Sequence, residues 1–289
     1  MKVAVIGSGG YIGKNLALSL KDKAFDVCCF SSSNGNCINP TTGILSENFS
    51  VPPGTNAIIY LAQSPFYRQV PDMSWHLWSI NVVSAVRIAE MARKAKVERF
   101  IYASTGSVYA PAFDPLSETS PLRKDNWYLL SKVHAEEALS LYRNDMDLVV
   151  MRIFGVYGPG QKDKLVPKLL KSVLEEKEIW IERNPEDESD LGGLKISLCY
   201  IDDIVEIISS LISKGGPSTL NIASNEAASL RQMVNTIGQF LGKEPVLTVA
   251  ERCRQGDLIA DISLLKSTLN PQFISLESGL QKTVQAIIC

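Results

Sequence analysis

Val3-Ala4-Val5-Ile6-Gly7-Ser8-Gly9-Gly10-Tyr11-Ile12-Gly13 is the stretch whose reading decides the fold. A short apolar run gives way to glycines and then to Ile12, Leu16 and Leu20 at helical spacing. That order predicts a strand, a tight turn and a helix from Tyr11 to about Lys21. A glycine-rich turn between a strand and a helix is the setting a dinucleotide fingerprint requires. Gly7 would permit the sharp turn, Gly10 would let the backbone approach a pyrophosphate, and Gly13 would let helix and strand pack closely. Amide groups around Tyr11 and Ile12, with the helix dipole, would then hold the phosphates.

Outward from this turn, Asp26–Phe30, Ala57–Ala62, Arg99–Ala103 and Leu148–Ile153 read as strands, alternating with amphipathic helices over Asn81–Lys96 and Trp127–Arg143. The alternation predicts βαβ units around a parallel sheet, hence an α/β, Rossmann-type doubly wound fold. Between Gly158 and Ile196 the texture changes to a charged helix (Lys164–Lys177) and an acidic loop (Pro185–Asp190). Leu198–Leu211 resumes the alternation, and from Leu220 the pattern is irregular and partly helical. The expected organisation is a dinucleotide-binding core over 1–155, to which 196–212 returns. A smaller C-terminal α/β substrate lobe would then form from 156–195 and 213–289.

With 289 residues, 45% hydrophobic and 21% charged, the chain has apolar material for a substantial core, and disorder is not expected. A formal net charge of −2 offers no general basic surface for nucleic acid, although a local Lys or Arg cluster could hold one small anion. Cys28, Cys29, Cys37, Cys199, Cys253 and Cys289 show neither metal-ligand spacing nor a disulfide framework. Cys28 and Cys29, inside an apolar run, read as small hydrophobes. His76 and His134 are the only histidines, so no metal is expected. The chain reaches its glycines too early for a signal peptide, and no apolar run is long enough to span a bilayer. A soluble, cytoplasmic protein is the expectation.

Tyr128-Leu129-Leu130-Ser131-Lys132 places a phenol and an ammonium four residues apart, on one face of a helix. A free phenol ionises near pH ~10, too high for a base at neutral pH. A cation beside it favours the phenolate, so the pair reads as a proton shuttle for hydride chemistry at a carbinol carbon. At the end of the second strand stands Phe30-Ser31-Ser32-Ser33-Asn34, where NAD-binding versions of the motif place an acid for the ribose hydroxyls. Ser31 and Ser32 would not repel a 2′-phosphate, and Lys14 could assist. A modest preference for NADP(H) over NAD(H) follows.

These motifs occur in order with Ser104-Thr105-Gly106-Ser107-Val108-Tyr109 and Arg152-Ile153-Phe154-Gly155-Val156-Tyr157-Gly158-Pro159-Gly160. Tyr200-Ile201-Asp202-Asp203-Ile204, Asn221-Ile222-Ala223, Arg254-Gln255-Gly256-Asp257 and Ala260-Asp261-Ile262-Ser263 continue the series. The whole chain resembles the extended short-chain dehydrogenase/reductases, specifically the nucleotide-sugar epimerase/dehydratase/reductase group. The resemblance implies that Thr105 hydrogen-bonds the reacting sugar oxygen and Tyr128 is the acid/base. It implies too that Lys132 binds the nicotinamide ribose and lowers the phenol's pKa. It places Leu61, Ala62 and Phe154 with the cofactor, and Asn81, Ser107 and Arg254 with the substrate, Arg254 at its diphosphate. Relatives commonly pair through the helices that here are Asn81–Lys96 and Trp127–Arg143, so a homodimer is expected by analogy.

Departures from the family pattern narrow the chemistry. Dehydratases carry acids immediately after the active-site Thr, where this chain has Gly106 and Ser107, neither able to shuttle a proton as a carboxyl does. An added Cys or His for epimerisation beside a ketone is also missing there. What remains is chemistry at one sugar carbon, C4 by expectation, as a 4-keto-sugar reductase or a 4-epimerase. The serine run favours the reductase. Gly155 stands where many relatives carry an Asn that contacts the substrate, and the chain between Phe30 and Ala57 is abbreviated. Two rival readings stay open, a non-catalytic dinucleotide sensor and a reductase of a small non-nucleotide carbonyl.

Overall fold

The structure, a computed structural model, describes residues 1–32 and 37–288. Ser33, Asn34 and Cys289 therefore lie outside the described residues. In chain order the first elements are β1 (Lys2–Ile6), α1 (Tyr11–Asp22), β2 (Asp26–Phe30), β3 (Thr55–Tyr60) and α2 (Ser74–Trp78). Then come α3 (Ala85–Lys94), β4 (Arg99–Thr105), α4 (Trp127–Ser140), β5 (Asp147–Ile153), β6 (Gly155–Tyr157) and α5 (Leu165–Leu174). β7 (Ile179–Arg183), β8 (Lys195–Tyr200), α6 (Ile201–Lys214), β9 (Thr219–Ile222) and β10 (Ala227–Ser229) follow. The chain closes with α7 (Leu230–Leu241), β11 (Leu247–Cys253), α8 (Ser263–Leu269) and α9 (Leu276–Ile288).

Two compact units divide the chain. The first comprises Met1–Val108, Pro121–Arg152 and Val205–Leu220, the second Tyr109–Ser120, Ile153–Ile204 and Asn221–Cys289. This differs from the expected boundaries: Tyr109–Ser120 and residues 153–155 fall in the second unit, residues 213–220 fall in the first, and the returning segment is split. β8 pairs in parallel with β6 and antiparallel with β10, so it joins the second unit's sheet, while α6 from Val205 onward joins the first unit. The segment expected to return whole to the core is thus shared.

The six-stranded sheet runs β2-β1-β3-β4-β5-β9. β1 pairs in parallel with β2 on one side and β3 on the other, and β3 pairs in parallel with β4. The chain leaves β1 in one direction and returns to the opposite side of it, which makes the carboxyl end of β1 a topological switch point where a doubly wound sheet opens a crevice. Val3–Ile6, Ala57–Tyr60 and Phe100–Tyr102 are all buried. Such near-continuous apolar runs are what strands covered on both faces require. The Rossmann-type expectation holds.

Two local features depart from the periodicity reading. The helix expected from Asn81 begins at Ser74, and between α2 and α3 it winds as a π-helix over Ser79–Ser84. A π segment shifts the apolar spacing out of phase, so the pattern before Asn81 does not continue the one after it. Between β2 and β3 the described residues contain no strand–helix unit. This short connection instead folds inward through the Ile38↔Leu45 bridge, burying Cys37, Ile38, Leu45 and Phe49. Phe49 meets Phe30 edge to face at 5.2 Å.

The glycine turn is set by close approach. Gly7 has φ +91°, and a side chain there would meet Ala62 N at 2.7 Å, at the end of β3. A Cβ on Gly13 would run into the Gly7 carbonyl oxygen and stand 2.8 Å from Ser8 Cα, whereas at Gly10 the nearest atom is 3.4 Å away. Gly13→Ala is therefore expected to cost about 1–3 kcal/mol in urea unfolding. Gly10→Ala, with room for its methyl, should cost less than about 1 kcal/mol.

Candidate active site

A cavity of about 400 Å³ opens at the switch point of the first unit. Its wall is built from Ile6, Gly7, Gly9 and Gly10 after β1, Phe30, Ser31 and Ser32 after β2, and Leu61, Ala62 and Gln63 after β3. The inward-folded connection adds Ile38 and Pro40. Of the residues expected to hold the cofactor, Gly7, Gly10, Ser31, Ser32, Leu61 and Ala62 line this space, while Tyr11, Ile12 and Gly13 form the first turn of α1. Gly9, which the spacing argument left without a role, lies against Ser31: a Cβ on it would be 3.1 Å from that side chain. No side chain caps α1, so the start of the helix offers backbone donors to an anion. No carboxylate lines the cavity among the described residues. A glycine cradle, an uncapped helix start and a cavity of this size fit a dinucleotide.

His76 braces the same wall. Ser64 Oγ accepts the Phe66 amide at 3.2 Å and shares a hydrogen bond of 2.9 Å with His76 Nδ1. The Pro40 carbonyl can only accept, so Nε2 donates to it at 3.0 Å, tying the β2–β3 connection to the segment after β3.

α4 starts at Asn126, whose side chain accepts the Leu129 amide at 3.0 Å, and this cap sets Tyr128 and Lys132 on the helix. Thr105, the last residue of β4, hydrogen-bonds the Tyr128 phenol, so the structure brings these two together. On its other side the phenol donates to Gln63 Oε1 at 3.3 Å. The Tyr67 ring lies 5.4 Å from the Tyr128 ring. Burial pushes the phenol up to about 12, the Thr105 hydrogen bond pulls it down, and Tyr67 adds to the rise.

Lys132 is 2% exposed. Burial pulls its ammonium down to about 8, with Glu136 acting in the opposite sense. Its Nζ donates to the Ala103 carbonyl at 2.8 Å and sits 5.0 Å over the Tyr102 ring. In the protein by itself burial dominates at the phenol, and the ammonium is engaged by a carbonyl and a ring face.

Behind this pair lies a polar network that the motifs only partly signalled. Glu136, one turn after Lys132, accepts from Arg152 Nη2 at 2.7 Å and from Nε at 3.1 Å, and also takes the Ser104 hydroxyl. Asn81, in the π segment, is 0% exposed and donates from Nδ2 to Ser131 Oγ at 2.9 Å. Ser131 in turn donates to the Tyr128 carbonyl at 2.8 Å. Asn81 was expected at the substrate; in the structure it is a strut behind α4, because its side chain is sealed between α4 and the π turn. Ser107 forms the short 3₁₀ turn after β4. Its amide donates to Thr105 Oγ1 at 3.2 Å and its carbonyl accepts from Arg123 at 3.3 Å.

Phe154 and Arg254 belong to the second unit. Phe154 is buried, its ring 6.0 Å from Tyr109. Arg254, expected at a diphosphate, is already matched by two carboxylates: Nε donates to Asp257 Oδ1 at 2.8 Å, and Nη2 lies 2.5 Å from Asp190 Oδ2. Nη1 donates to the Glu182 carbonyl at 2.9 Å, and Phe113 lies 5.4 Å from the guanidinium carbon. Gly155 has a steric reason. A Cβ there would collide with Leu198 Cδ2 and stand 3.1 Å from Ile196 Cδ1.

Reading the sequence missed Gln63, Ser131, Glu136 and Arg152. Ser131 and Glu136 carried a signal, being adjacent to Lys132 and four residues after it; Gln63 carried none. The model of the NAD dependent epimerase/dehydratase family matches residues 3–223. A Bacillus subtilis protein described as an uncharacterized UDP-glucose epimerase is 28% identical, over 98% of this chain and 97% of its own. A UDP-glucuronate 4-epimerase from Thermodesulfobacterium geofontis is 28% identical over 82% of this chain and 73% of its own. Among solved structures, a UDP-glucuronic acid 4-epimerase from Bacillus cereus, in complex with UDP-glucuronic acid and NAD, superposes with TM-score 0.79 at 24% identity. That superposition covers 100% of this chain and 99% of the other.

Glu136→Gln would remove the buried carboxylate that accepts from Arg152 Nη2 and Nε. The expected loss is about 3–5 kcal/mol, read as a lowered urea midpoint with an unchanged slope.

Proposed function

This chain belongs to the NAD dependent epimerase/dehydratase family, and we propose that it is a nucleotide-sugar oxidoreductase acting at one carbinol carbon. The observation that carries the reading is the Tyr128 phenol held between Thr105 and Gln63, the latter lining the cavity that fits a dinucleotide. Two relatives described as UDP-sugar epimerases support a UDP-sugar as substrate, and the one described as a 4-epimerase supports C4 as the reacting carbon. The absence of an acid at Gly106 and Ser107 argues against elimination of water, which needs a second carboxyl acid/base.

In this proposal Thr105 holds the reacting sugar oxygen and Tyr128 exchanges its proton. When bound, the nicotinamide accepts a hydride from that carbon or returns it. Lys132, confined under the sheet end with Glu136 behind it, supplies positive charge for the ribose and for a forming phenolate. Because burial outweighs the Thr105 hydrogen bond and leaves the phenol near 12, it rests protonated at neutral pH, ready to donate to a ketone. Leu61 and Ala62, pressed on Gly7, fix the β3 side of the cavity.

A 4-epimerase and a 4-keto-sugar reductase share these residues. The family description and the two relatives favour the epimerase. The Ser31-Ser32 wall, without a carboxylate for ribose hydroxyls, favours a reductase that exchanges NADP(H). The direct test is Tyr128→Phe with UDP-glucose, UDP-glucuronic acid and their 4-keto forms. Turnover should fall about 10²–10⁴-fold while cofactor binding is retained. Undiminished turnover refutes the assignment. For the cofactor, titrations with NADPH and NADH should give an NADPH dissociation constant equal to or below that of NADH; tighter NADH binding would return the site to NAD(H).

A further inference from the structure

Gln63 stands where two parts of the first unit meet. Its backbone continues β3 immediately after Ala62, whose amide nitrogen would be 2.7 Å from a Cβ on Gly7, so its starting point is fixed by the glycine turn. Its side chain lines the dinucleotide-sized cavity, and its Oε1 accepts the Tyr128 hydroxyl at 3.3 Å. The groups that face this phenol are Thr105 and Tyr102 from β4, Tyr67 from the segment after β3, and Lys132 on its own helix. Arg68 sits over the Tyr67 ring at 5.3 Å. Lys132 is turned to the Ala103 carbonyl. Thr105 and Gln63 are thus the neighbours with a hydrogen bond to the phenol, and through it they bear on the direction of its proton.

We propose that Gln63 is a positioning residue for Tyr128, its carboxamide carbonyl holding the resting phenol as a hydrogen-bond donor and its amide group turning to serve the phenolate. The argument is one of chemical inventory. A carboxamide carries one acceptor and two donors on a single rotating group. With Oε1 toward Tyr128 it favours the neutral phenol; with Nε2 toward Tyr128 it favours the anion. No proton leaves Gln63 in either state, so the balance of the transfer stays between Tyr128 and the sugar oxygen. An alanine would lose both states. A glutamate would keep the acceptor and add a negative charge, and could serve only the neutral phenol. Since Gln63 also lines the cavity, filling that cavity and reorienting the phenol's partner are coupled events.

This inference rests on Tyr128 being the acid/base, and its test does not need the substrate. The protein is labelled with 3-fluorotyrosine, whose lower intrinsic pKa brings the titration into the range of the folded chain. The Tyr128 line in the fluorine NMR spectrum is identified by its loss in Tyr128→Phe and followed against pH. Gln63→Glu should raise the midpoint by about one unit, and Gln63→Ala should raise it by a smaller step, because the hydrogen bond lost to the phenolate is stronger than the one lost from the neutral phenol. With a turned-over UDP-sugar, the corresponding limb of kcat against pH should move in the same directions. Identical midpoints in the parent and both variants would overturn the proposal, as would a lowered midpoint in Gln63→Ala. If Gln63→Ala fails to fold, the near-isosteric Gln63→Glu decides alone by the sign of its shift. Retained turnover in Tyr128→Phe would sink the function instead, a separate outcome.

Discussion

One buried carboxylate keeps the candidate site in register. Glu136 gathers Ser104 from β4, Arg152 from β5 and its own helix α4 into a single charge-assisted cluster. α4 carries Tyr128 and Lys132, and β4 ends at Thr105, so the three residues of the proposed chemistry hang from elements that this cluster ties together. A buried ion pair contributes little net stability when compared with apolar residues, but breaking half of it is costly. Its contribution is to resist sliding: a shift of α4 along the sheet would break the Glu136 contacts to Arg152 and Ser104 together. The Asn81–Ser131 hydrogen bond restrains the same helix from its other side.

Much of this was written in short-range pattern. The strand–glycine–helix order, the apolar runs and the four-residue step from Tyr128 to Lys132 are all local, and local signals survive without a structure. What was hidden depends on distance along the chain or on burial. The Gln63–Tyr128 contact joins residues 65 apart, and a single polar residue after a strand has no periodicity to betray it. The π segment at Ser79–Ser84 breaks the rule by which helices are read. Electrostatics was hidden as well, because spacing places a cation near a phenol but does not say which atoms the cation prefers. α7 is the opposite case. Its Ser229–Gln232 capping box and its left-handed end at Gly242 were available to a closer reading of the irregular carboxyl-terminal stretch.

Among the described residues, the β2–β3 connection covers its stretch of the sheet without a helix. Four apolar side chains, Cys37, Ile38, Leu45 and Phe49, become part of the core, and His76 fastens the loop by its Pro40 carbonyl. The cavity wall at that end is consequently apolar and backbone-built, with the serines of the β2 terminus as its hydroxyl edge.

Gly155 and Leu198 illustrate a different economy. Because the ends of the Leu198 and Ile196 side chains occupy the space a Cβ at 155 would need, the two strands share one packing problem at this corner. A side chain placed at 155 is accommodated only as far as the leucine on the neighbouring strand can turn aside, so the rotamer at 198 decides what 155 can carry.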